Sequence, residues 1–157
     1  MTQSHVDIVR RKLETYATRG VFSGLSEEPG RGNKTVFTFR WLLDGRFTIV
    51  VDASRGTIVF RDVMPNVQAR SELLSDVKAF VAARHDGDLP AHRRIDAKRA
   101  EACCRFSKGA VSIEITVHRN QYAYGTGKII KLINELFGHL SMNHMPYLWD
   151  NFDVPAE

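Results

Sequence analysis

The amino-acid sequence predicts an α+β domain whose five-stranded, mainly antiparallel sheet is covered by helices on one face and open to solvent on the other. Three observations support this fold class. Amphipathic helical patterns occur near both ends and in the middle of the chain, three consecutive segments alternate with period two after the first helix, and a second hairpin pattern precedes the last helix. The predicted order of elements is α-β-β-β-α-β-β-α.

Length and composition are typical of one globular domain. The chain has 157 residues, of which 43% are hydrophobic and 25% charged, so residues 1–157 are interpreted as a single domain with one core. No stretch approaches the ~20 apolar residues of a membrane-spanning helix, and no signal-peptide pattern opens the sequence. The only cysteines, Cys103 and Cys104, are adjacent and cannot form a disulfide framework. We therefore expect a cytoplasmic protein without membrane association.

The charge balance gives a weak indication of partners. Lysine and arginine number 22 against 18 acidic residues, which gives a formal net charge of +4. The two signs are interspersed along the chain, so a mixed, solvated surface is expected rather than a continuous track for phosphates.

The first helix and the segment after it differ sharply in pattern. Ser4 and Asp7 resemble a capping box, and apolar residues then recur at helical spacing at Val9 and Leu13. Residues 20–33 are rich in Gly, Ser, Glu and Pro and have no periodicity. This segment is predicted to be an exposed loop.

Three strands are predicted next, because β-branched and aromatic residues alternate with polar ones at 36–43, 47–52 and 57–63. A continuous apolar face requires a particular register. A three-residue loop at 44–46 would pair Leu43 with Phe47, and a four-residue loop at 53–56 would continue the apolar face into the third strand.

In the second half of the chain, the same kinds of pattern predict one hairpin between two helices. The second helix is predicted from five apolar residues at helical spacing and ends near residues 85–87. A turn at Lys108 and Gly109 would pair Phe106 with Val111. The third helix has the broadest apolar stripe in the chain, formed by Ile129, Ile130, Leu132, Ile133, Leu136, Phe137 and Leu140.

This order of elements resembles the YbjN-like sensory-transduction regulators and the class I type III secretion chaperones that share their fold. The matching features are the strands around Leu42-Leu43-Asp44-Gly45, the helix at 71–83, and the last helix with Leu132-Ile133-Asn134-Glu135-Leu136-Phe137. The resemblance implies a small homodimeric adaptor or chaperone that holds another protein. It also implies that there is no cofactor and no catalytic residue.

A phosphate-loop motif is suggested by the glycines and lysine at 125–128 but is not complete. That motif requires a glycine where this chain has Tyr122 and a hydroxyl residue where it has Ile129. The segment is instead predicted to be a flexible approach to the third helix, with Thr126 as a possible cap.

His139, Met142, His144 and Met145 form a cluster of soft ligands in sequence, which suits copper. Histidines five positions apart on a helix are about 140° apart around its axis, so His139 and His144 converge only if the helix has already ended. Surface histidines at a Met-rich helix end explain the same residues, and no metal site is predicted.

A thiol enzyme is the third possibility. Cys103 is predicted to face outward beside arginines that would lower its pKa, and His118 is the only base on the paired strand. The register places His118 opposite Arg99, too far along the strand to serve Cys103. No other set of acid, base and nucleophile converges, so an enzyme is not expected.

Basic residues cluster at Arg93, Arg94, Lys98 and Arg99, which are candidate phosphate-binding residues. RNA-binding sheets stack bases on exposed aromatic residues. Here the predicted register turns the aromatic side chains inward and leaves arginines, threonines and acids on the open face. A weak, sequence-independent nucleic-acid binder, with residues 92–99 as its surface, is therefore the alternative hypothesis.

The leading hypothesis is a non-enzymatic protein-binding module of chaperone or regulator type that forms a homodimer. Its candidate partner-binding residues lie in the aromatic C-terminal tail, residues 144–157, at Tyr147, Leu148, Trp149 and Phe152. Two alternatives remain open for this tail: it folds back over the domain's own core, or it anchors a partner or a second subunit.

Overall fold

The alternating strands form one antiparallel sheet. In the computed structural model, which describes residues 4–152, its strands are β1 Ser23–Pro29, β2 Lys34–Arg40, β3 Arg46–Asp52, β4 Thr57–Met64, β5 Ala100–Ser107 and β6 Ala110–Val117. The strand order is β1-β2-β3-β4-β6-β5, and every neighbouring pair is antiparallel. The fold is α+β, as predicted.

Four helices accompany the sheet: α1 His5–Thr18, α2 Glu72–Ala82, α3 Tyr122–Asn143 and α4 Met145–Asn151. The side chain of Ser4 accepts a hydrogen bond from the backbone N–H of Asp7 at 3.1 Å, which confirms the predicted cap of α1. Ser71 caps α2 in the same way through Leu74. Among the described residues, no helix is long and apolar enough to cross a membrane.

The core lies between the helices and one face of the sheet. Of the six aromatic residues predicted to face inward, Phe37, Phe39, Phe47 and Phe60 are buried there, whereas Trp41 and Phe106 are only partly buried against the same core. The rings of Phe39 and Phe60 meet edge to face, with their centroids 6.1 Å apart. The other face of the sheet is not covered by any described helix and carries the site considered below.

The prediction of an exposed loop at 20–33 was wrong for residues 23–29, which form β1 and raise the strand count from five to six. β1 is an edge strand with largely exposed side chains, so it pairs with β2 without the apolar alternation that reveals a strand in a sequence. It is also bound to α1, because Arg10 Nη2 donates to Glu27 Oε2 at 2.7 Å.

The predicted pairing of Leu43 with Phe47 was also wrong. Phe39 pairs with Phe47, so β2 ends at Arg40 and a longer loop joins it to β3. Leu43 and Asp44 in this loop have positive φ angles of 54° and 53°, a left-handed conformation that non-glycine residues rarely adopt. The shift spans an even number of positions, and each side chain therefore keeps its predicted face.

The remaining registers agree with the sequence prediction. The four-residue loop at 53–56 joins β3 to β4, and Phe106 pairs with Val111 across the second hairpin. The turn residues Lys108 and Gly109 have φ angles of 51° and 77°, as a two-residue hairpin turn requires.

The segment at 125–128 is not a flexible approach to the third helix, because α3 already begins at Tyr122. Thr126 is buried, and its hydroxyl donates to the backbone carbonyl of Tyr122 at 2.7 Å instead of capping the helix. Gly125 lies so close to β6 that a Cβ atom at this position would be 2.3 Å from Cγ1 of Val117. A glycine here thus allows α3 to pack directly on the sheet.

The described part of the aromatic tail, residues 144–152, folds back over the core. Leu148 of α4 is fully buried, and the Tyr147 hydroxyl donates to the carbonyl of Pro65 at 2.6 Å. The Phe152 ring meets the Phe137 ring edge to face at 5.3 Å. Residues 153–157 of the predicted tail lie outside the described residues.

Candidate functional site

The open face of the sheet contains a cleft of about 400 Å³. It crosses β2, β3 and β4, and the turn that joins β1 to β2 forms one of its walls. The lining residues are Gly30, Arg31, Lys34, Val36, Val50, Asp52, Arg55, Thr57, Val59, Arg61 and Glu114.

The floor of the cleft is an apolar row that crosses three strands. Val36 pairs with Val50, and Val50 pairs with Val59, so the three valines lie side by side. Glu28 and Glu114 stand at the two ends of the row in the neighbouring strands. The sequence prediction of only arginines, threonines and acids on this face was therefore incomplete, although the period-two pattern contained the signal.

The rim of the cleft is positively charged. Within residues 4–152, no ion pair joins Arg31, Arg55 or Arg61 to a carboxylate. Asp52 is already bonded to the hydroxyl and backbone N–H of Ser54 at 2.6 and 3.1 Å, and these hydrogen bonds hold the pKa of its carboxyl below the usual value.

The second carboxylate of the cleft is also engaged. Glu114 accepts a hydrogen bond from Arg105 Nη2 at 3.0 Å. The cleft consequently presents three arginines that have no carboxylate partner in the described chain, above a floor of valines. This combination suits a ligand that has both aliphatic groups and negative charge.

The candidate phosphate-binding residues are largely bonded within the chain. Arg93 Nε lies 3.5 Å from the carboxylate of Glu135, and Arg94 donates to a backbone carbonyl of the same loop. Arg99 donates to Gln121 at 2.9 Å, and its guanidinium lies 3.7 Å from the centre of the Tyr124 ring. Of the four candidates, only Lys98 has a charged side-chain group without a partner in residues 4–152.

The basic segment is nevertheless part of a larger cationic region. Lys128 and Lys131 of α3 donate to backbone carbonyls of residues 91–92 and so approach the segment closely. Burial lowers the pKa of the Lys128 ammonium, and the neighbouring cations Lys131 and Arg99 lower it further. Helix α3 therefore adds two cations to those of the basic segment.

The structure does not bring Cys103 and His118 together. The Cys103 thiol lies 3.7 Å from a carboxylate oxygen of Glu114, whereas His118 is bonded to Glu101 at 3.0 Å. Burial raises the pKa of the Cys103 thiol, which is the opposite of the lowered value considered in the sequence analysis.

The candidate partner-binding residues of the tail divide into two groups. Tyr147, Leu148 and Phe152 contact the chain's own core, which is the fold-back alternative. Trp149 remains 54% exposed, and Met142 near the end of α3 is 87% exposed. Only Trp149 of the four is still available to a partner as a large apolar surface.

A second cluster lies on the helical side of the molecule, where α2 meets the end of α3. His139 Nε2 and His144 Nε2 lie 2.8 and 2.6 Å from the same oxygen of Asp76, Oδ2. These hydrogen bonds lower the pKa of the Asp76 carboxyl. The two histidines converge because α3 ends at Asn143 and His144 has a non-helical backbone, which is the condition that the sequence analysis set.

The fold and the open-face cleft define a class of architecture: an α+β protein with an open six-stranded antiparallel sheet. Comparisons of the chain with protein-family models, with curated proteins and with solved structures found no match. The resemblance to YbjN-like regulators and type III secretion chaperones therefore remains a prediction, and the order of elements on which it was based lacked β1 and α4.

Proposed function

We propose that this protein is a non-enzymatic protein-binding module of chaperone or regulator type that holds a segment of another protein on its open sheet face. The observation that carries the proposal is the row of Val36, Val50 and Val59, bordered by arginines that have no carboxylate partner within residues 4–152. No reaction is assigned to this face, because burial raises the pKa of its one thiol, Cys103, and the nearby Glu114 carboxylate is already bonded to Arg105.

The chemistry of the cleft specifies the partner segment. Aliphatic side chains that cover the valine row would remove apolar surface from water, and carboxylates on the same segment would pair with Arg31, Arg55 and Arg61. The expected ligand is therefore a peptide in which aliphatic and acidic residues are interspersed. The arginines determine which segments bind, and the half-buried Val50 and Val59 supply most of the contact area, since Val36 is already buried.

A peptide library displayed on phage tests this proposal directly. Selection on the immobilised protein is expected to enrich acidic, aliphatic sequences, and fluorescence anisotropy then gives the affinity of one synthetic peptide. Arg61→Glu should weaken that peptide about tenfold or more, which corresponds to about 1.4 kcal/mol. The matched control is Arg46→Glu, a charge reversal on the same sheet face outside the cleft.

The selection also has outcomes that contradict the proposal. Enrichment of basic peptides would show that the cleft is not the binding surface. Equal weakening by Arg61→Glu and Arg46→Glu would show that binding depends only on net charge and that the cleft is not a specific site.

The proposal includes a homodimer formed through the outer edge of β5. His118 N–H bonds to the carbonyl of Arg99, so the backbone groups of odd-numbered residues in β5 face β6 and those of even-numbered residues face outward. Ala102 already donates outward, to the ring of His85 at 3.1 Å. The outward N–H groups of Cys104 and Phe106 remain for a second copy of the strand.

Light scattering after size exclusion tests the dimer. The native chain should have twice the monomer mass at tens of micromolar, and Cys104→Pro should shift the mass toward the monomer by removing an outward donor. Proline is close in size to the cysteine that it replaces, and circular dichroism verifies that the variant remains folded. A monomer mass for the native chain contradicts the dimer.

The alternative function is weak, sequence-independent binding of nucleic acid through Arg93, Arg94, Lys98 and Arg99. The observation in its favour is the proximity of Lys128 and Lys131 to the basic segment, because both ammonium groups donate to backbone carbonyls of residues 91–92. Because few cations would contact phosphates, the affinity should be low and should decrease steeply with salt. Nanomolar binding at physiological salt would place this function ahead of peptide binding.

A further inference from the structure

We infer that Asp76, His139 and His144, here called the Asp-His-His cluster, bind a divalent transition-metal ion such as Zn²⁺. The cluster lies between α2 and the junction of α3 with α4, on the helical side of the sheet. It is therefore separate from the open-face cleft, and the inference does not depend on the proposed peptide-binding function.

The three potential ligand atoms already converge on one point. Asp76 Oδ2 lies 2.8 Å from His139 Nε2 and 2.6 Å from His144 Nε2, and all three atoms lie within 4.8 Å of one another. Zinc takes imidazole and carboxylate ligands at about 2.0–2.2 Å in a tetrahedral arrangement, in which neighbouring ligand atoms are roughly 3.4 Å apart. The Asp76 oxygen needs to move away from each imidazole nitrogen by only a fraction of an ångström to admit the ion.

The convergence is produced by the backbone rather than by one flexible loop. Asp76 lies in the middle of α2, His139 lies near the end of α3, and His144 follows that helix with φ −140° and ψ 41°. The ring of His139 also packs against Phe80, one helical turn beyond Asp76, with a centroid distance of 4.9 Å. The orientation of this imidazole is thus fixed by packing before any ion binds.

A second group is placed to support His139 as a ligand. The side-chain amide of Asn143 lies 3.2 Å from His139 Nδ1. When Nε2 of a histidine binds a metal, Nδ1 carries the proton and donates it to a neighbouring acceptor. The same amide nitrogen donates to the backbone carbonyl of His139 at 3.1 Å, so Asn143 orients the ring, and water at this partly exposed side chain can accept the Nδ1 proton when an ion binds.

The donor set selects the class of ion. Two imidazoles and one carboxylate suit Zn²⁺, Co²⁺ or Ni²⁺, whereas Mg²⁺ and Ca²⁺ prefer oxygen ligands alone. All three side chains are partly exposed, with relative accessibilities of 37%, 26% and 22% for Asp76, His139 and His144. Water can therefore reach the ion and complete its coordination.

Isothermal titration calorimetry with a zinc salt, on protein without a polyhistidine tag, tests the inference. One ion should bind per chain, and His144→Ala and Asp76→Asn should each weaken binding at least about tenfold. His118→Ala is the matched control, because it removes a partly exposed histidine bonded to a glutamate elsewhere and should leave the affinity unchanged.

Two spectroscopic measurements on the native chain keep the test independent of variant folding. A Co²⁺ complex should show visible absorption bands without a thiolate charge-transfer band, which excludes Cys103 and Cys104 as the ligands. Zinc titration followed by NMR should shift the ring signals of His139 and His144 and leave those of His118 in place.

Three results would overturn the inference. They are no saturable zinc binding by the native chain, full binding by a folded His139→Ala/His144→Ala variant, or equal loss in the His118→Ala control. In the first case the cluster is only a pair of hydrogen bonds between two helices. Failure of zinc binding leaves the peptide selection unaffected, so the two proposals fail separately.

Discussion

The two ends of α3 are attached to the rest of the molecule in different ways. At the N-terminal end, a Cβ atom on Gly125 would lie 2.3 Å from the Val117 side chain, so the helix backbone contacts β6 directly. At the C-terminal end, a Cβ atom on Gly138 would meet no atom within 4 Å, and Met142 is 87% exposed. There the chain reverses at His144, and α4 holds the end in place through buried Leu148.

This difference separates close packing at one end of the helix from accessible side chains at the other. Direct contact between helix and sheet leaves no space for a larger side chain, so residues at the N-terminal end serve packing. The C-terminal end is attached through individual side chains and leaves neighbouring groups accessible. Trp149 and the Asp-His-His cluster both lie at this second end.

The largest expected effect is that of Leu148→Ala, which removes the buried anchor of α4. It should lower the free energy of unfolding by about 2–5 kcal/mol, because it leaves a cavity in the core. Urea denaturation measures this loss. Trp149→Ala, the neighbouring substitution at an exposed position, should change stability by less than about 0.5 kcal/mol. Equal effects would mean that α4 does not hold the end of α3.

The two glycines of α3 provide the sharpest test, because the same substitution should have opposite signs. Gly125→Ala should destabilise the protein by about 1–3 kcal/mol, since the new methyl group overlaps Val117. Gly138→Ala should stabilise it by about 0.5–1 kcal/mol, because alanine favours a helix interior and nothing obstructs the methyl group. Thermal unfolding of both variants measures the contrast.

A double variant identifies the contact responsible. Val117→Ala removes the methyl group that Gly125→Ala would strike, so the two losses should sum to more than the loss in the double variant. Strict additivity would show that Gly125 is required for a reason other than its distance from β6.

A smaller loss than that of Leu148→Ala or Gly125→Ala is expected for a single hydrogen bond at the C-terminal end. Tyr147→Phe removes the hydroxyl that donates to the carbonyl of Pro65 at 2.6 Å and should cost about 0.5–1.5 kcal/mol. Burial raises the pKa of this hydroxyl, so an alkaline absorbance titration should lose its last-ionising tyrosine in the variant. Loss of a tyrosine that ionises in the ordinary range would contradict the burial of this side chain.

Local patterns predicted much of the fold, and departures from ideal backbone geometry account for the main errors. The hairpin at Lys108 and Gly109 was predicted to the residue, because a two-residue turn fixes the register of its strands. The β2–β3 register was wrong because Leu43 and Asp44 adopt a left-handed conformation that their side chains do not signal. β1 was missed because an exposed edge strand needs no apolar face.

The candidate sites depended more on long-range contacts. The sequence showed that His139 and His144 could meet only beyond the end of the helix, but nothing local identified Asp76 in α2 as their shared partner. The alternating pattern of each of the three strands already placed its valine on the open face. Only the corrected register, however, makes the three valines neighbours. Contacts between elements distant in sequence are set by the packing of the whole chain.

The pairing of β4 with β6 has a consequence for the kinetics of folding. The other four strand pairs join successive strands, whereas Ile58 of β4 meets Ile115 of β6 only after the chain has passed through α2 and β5. Closing so long a loop is entropically costly, so the successive hairpins are expected to form early and the β4–β6 contact late. Substitutions at the β4–β6 pairing should then mainly accelerate unfolding. They should have little effect on the rate at which the successive hairpins form.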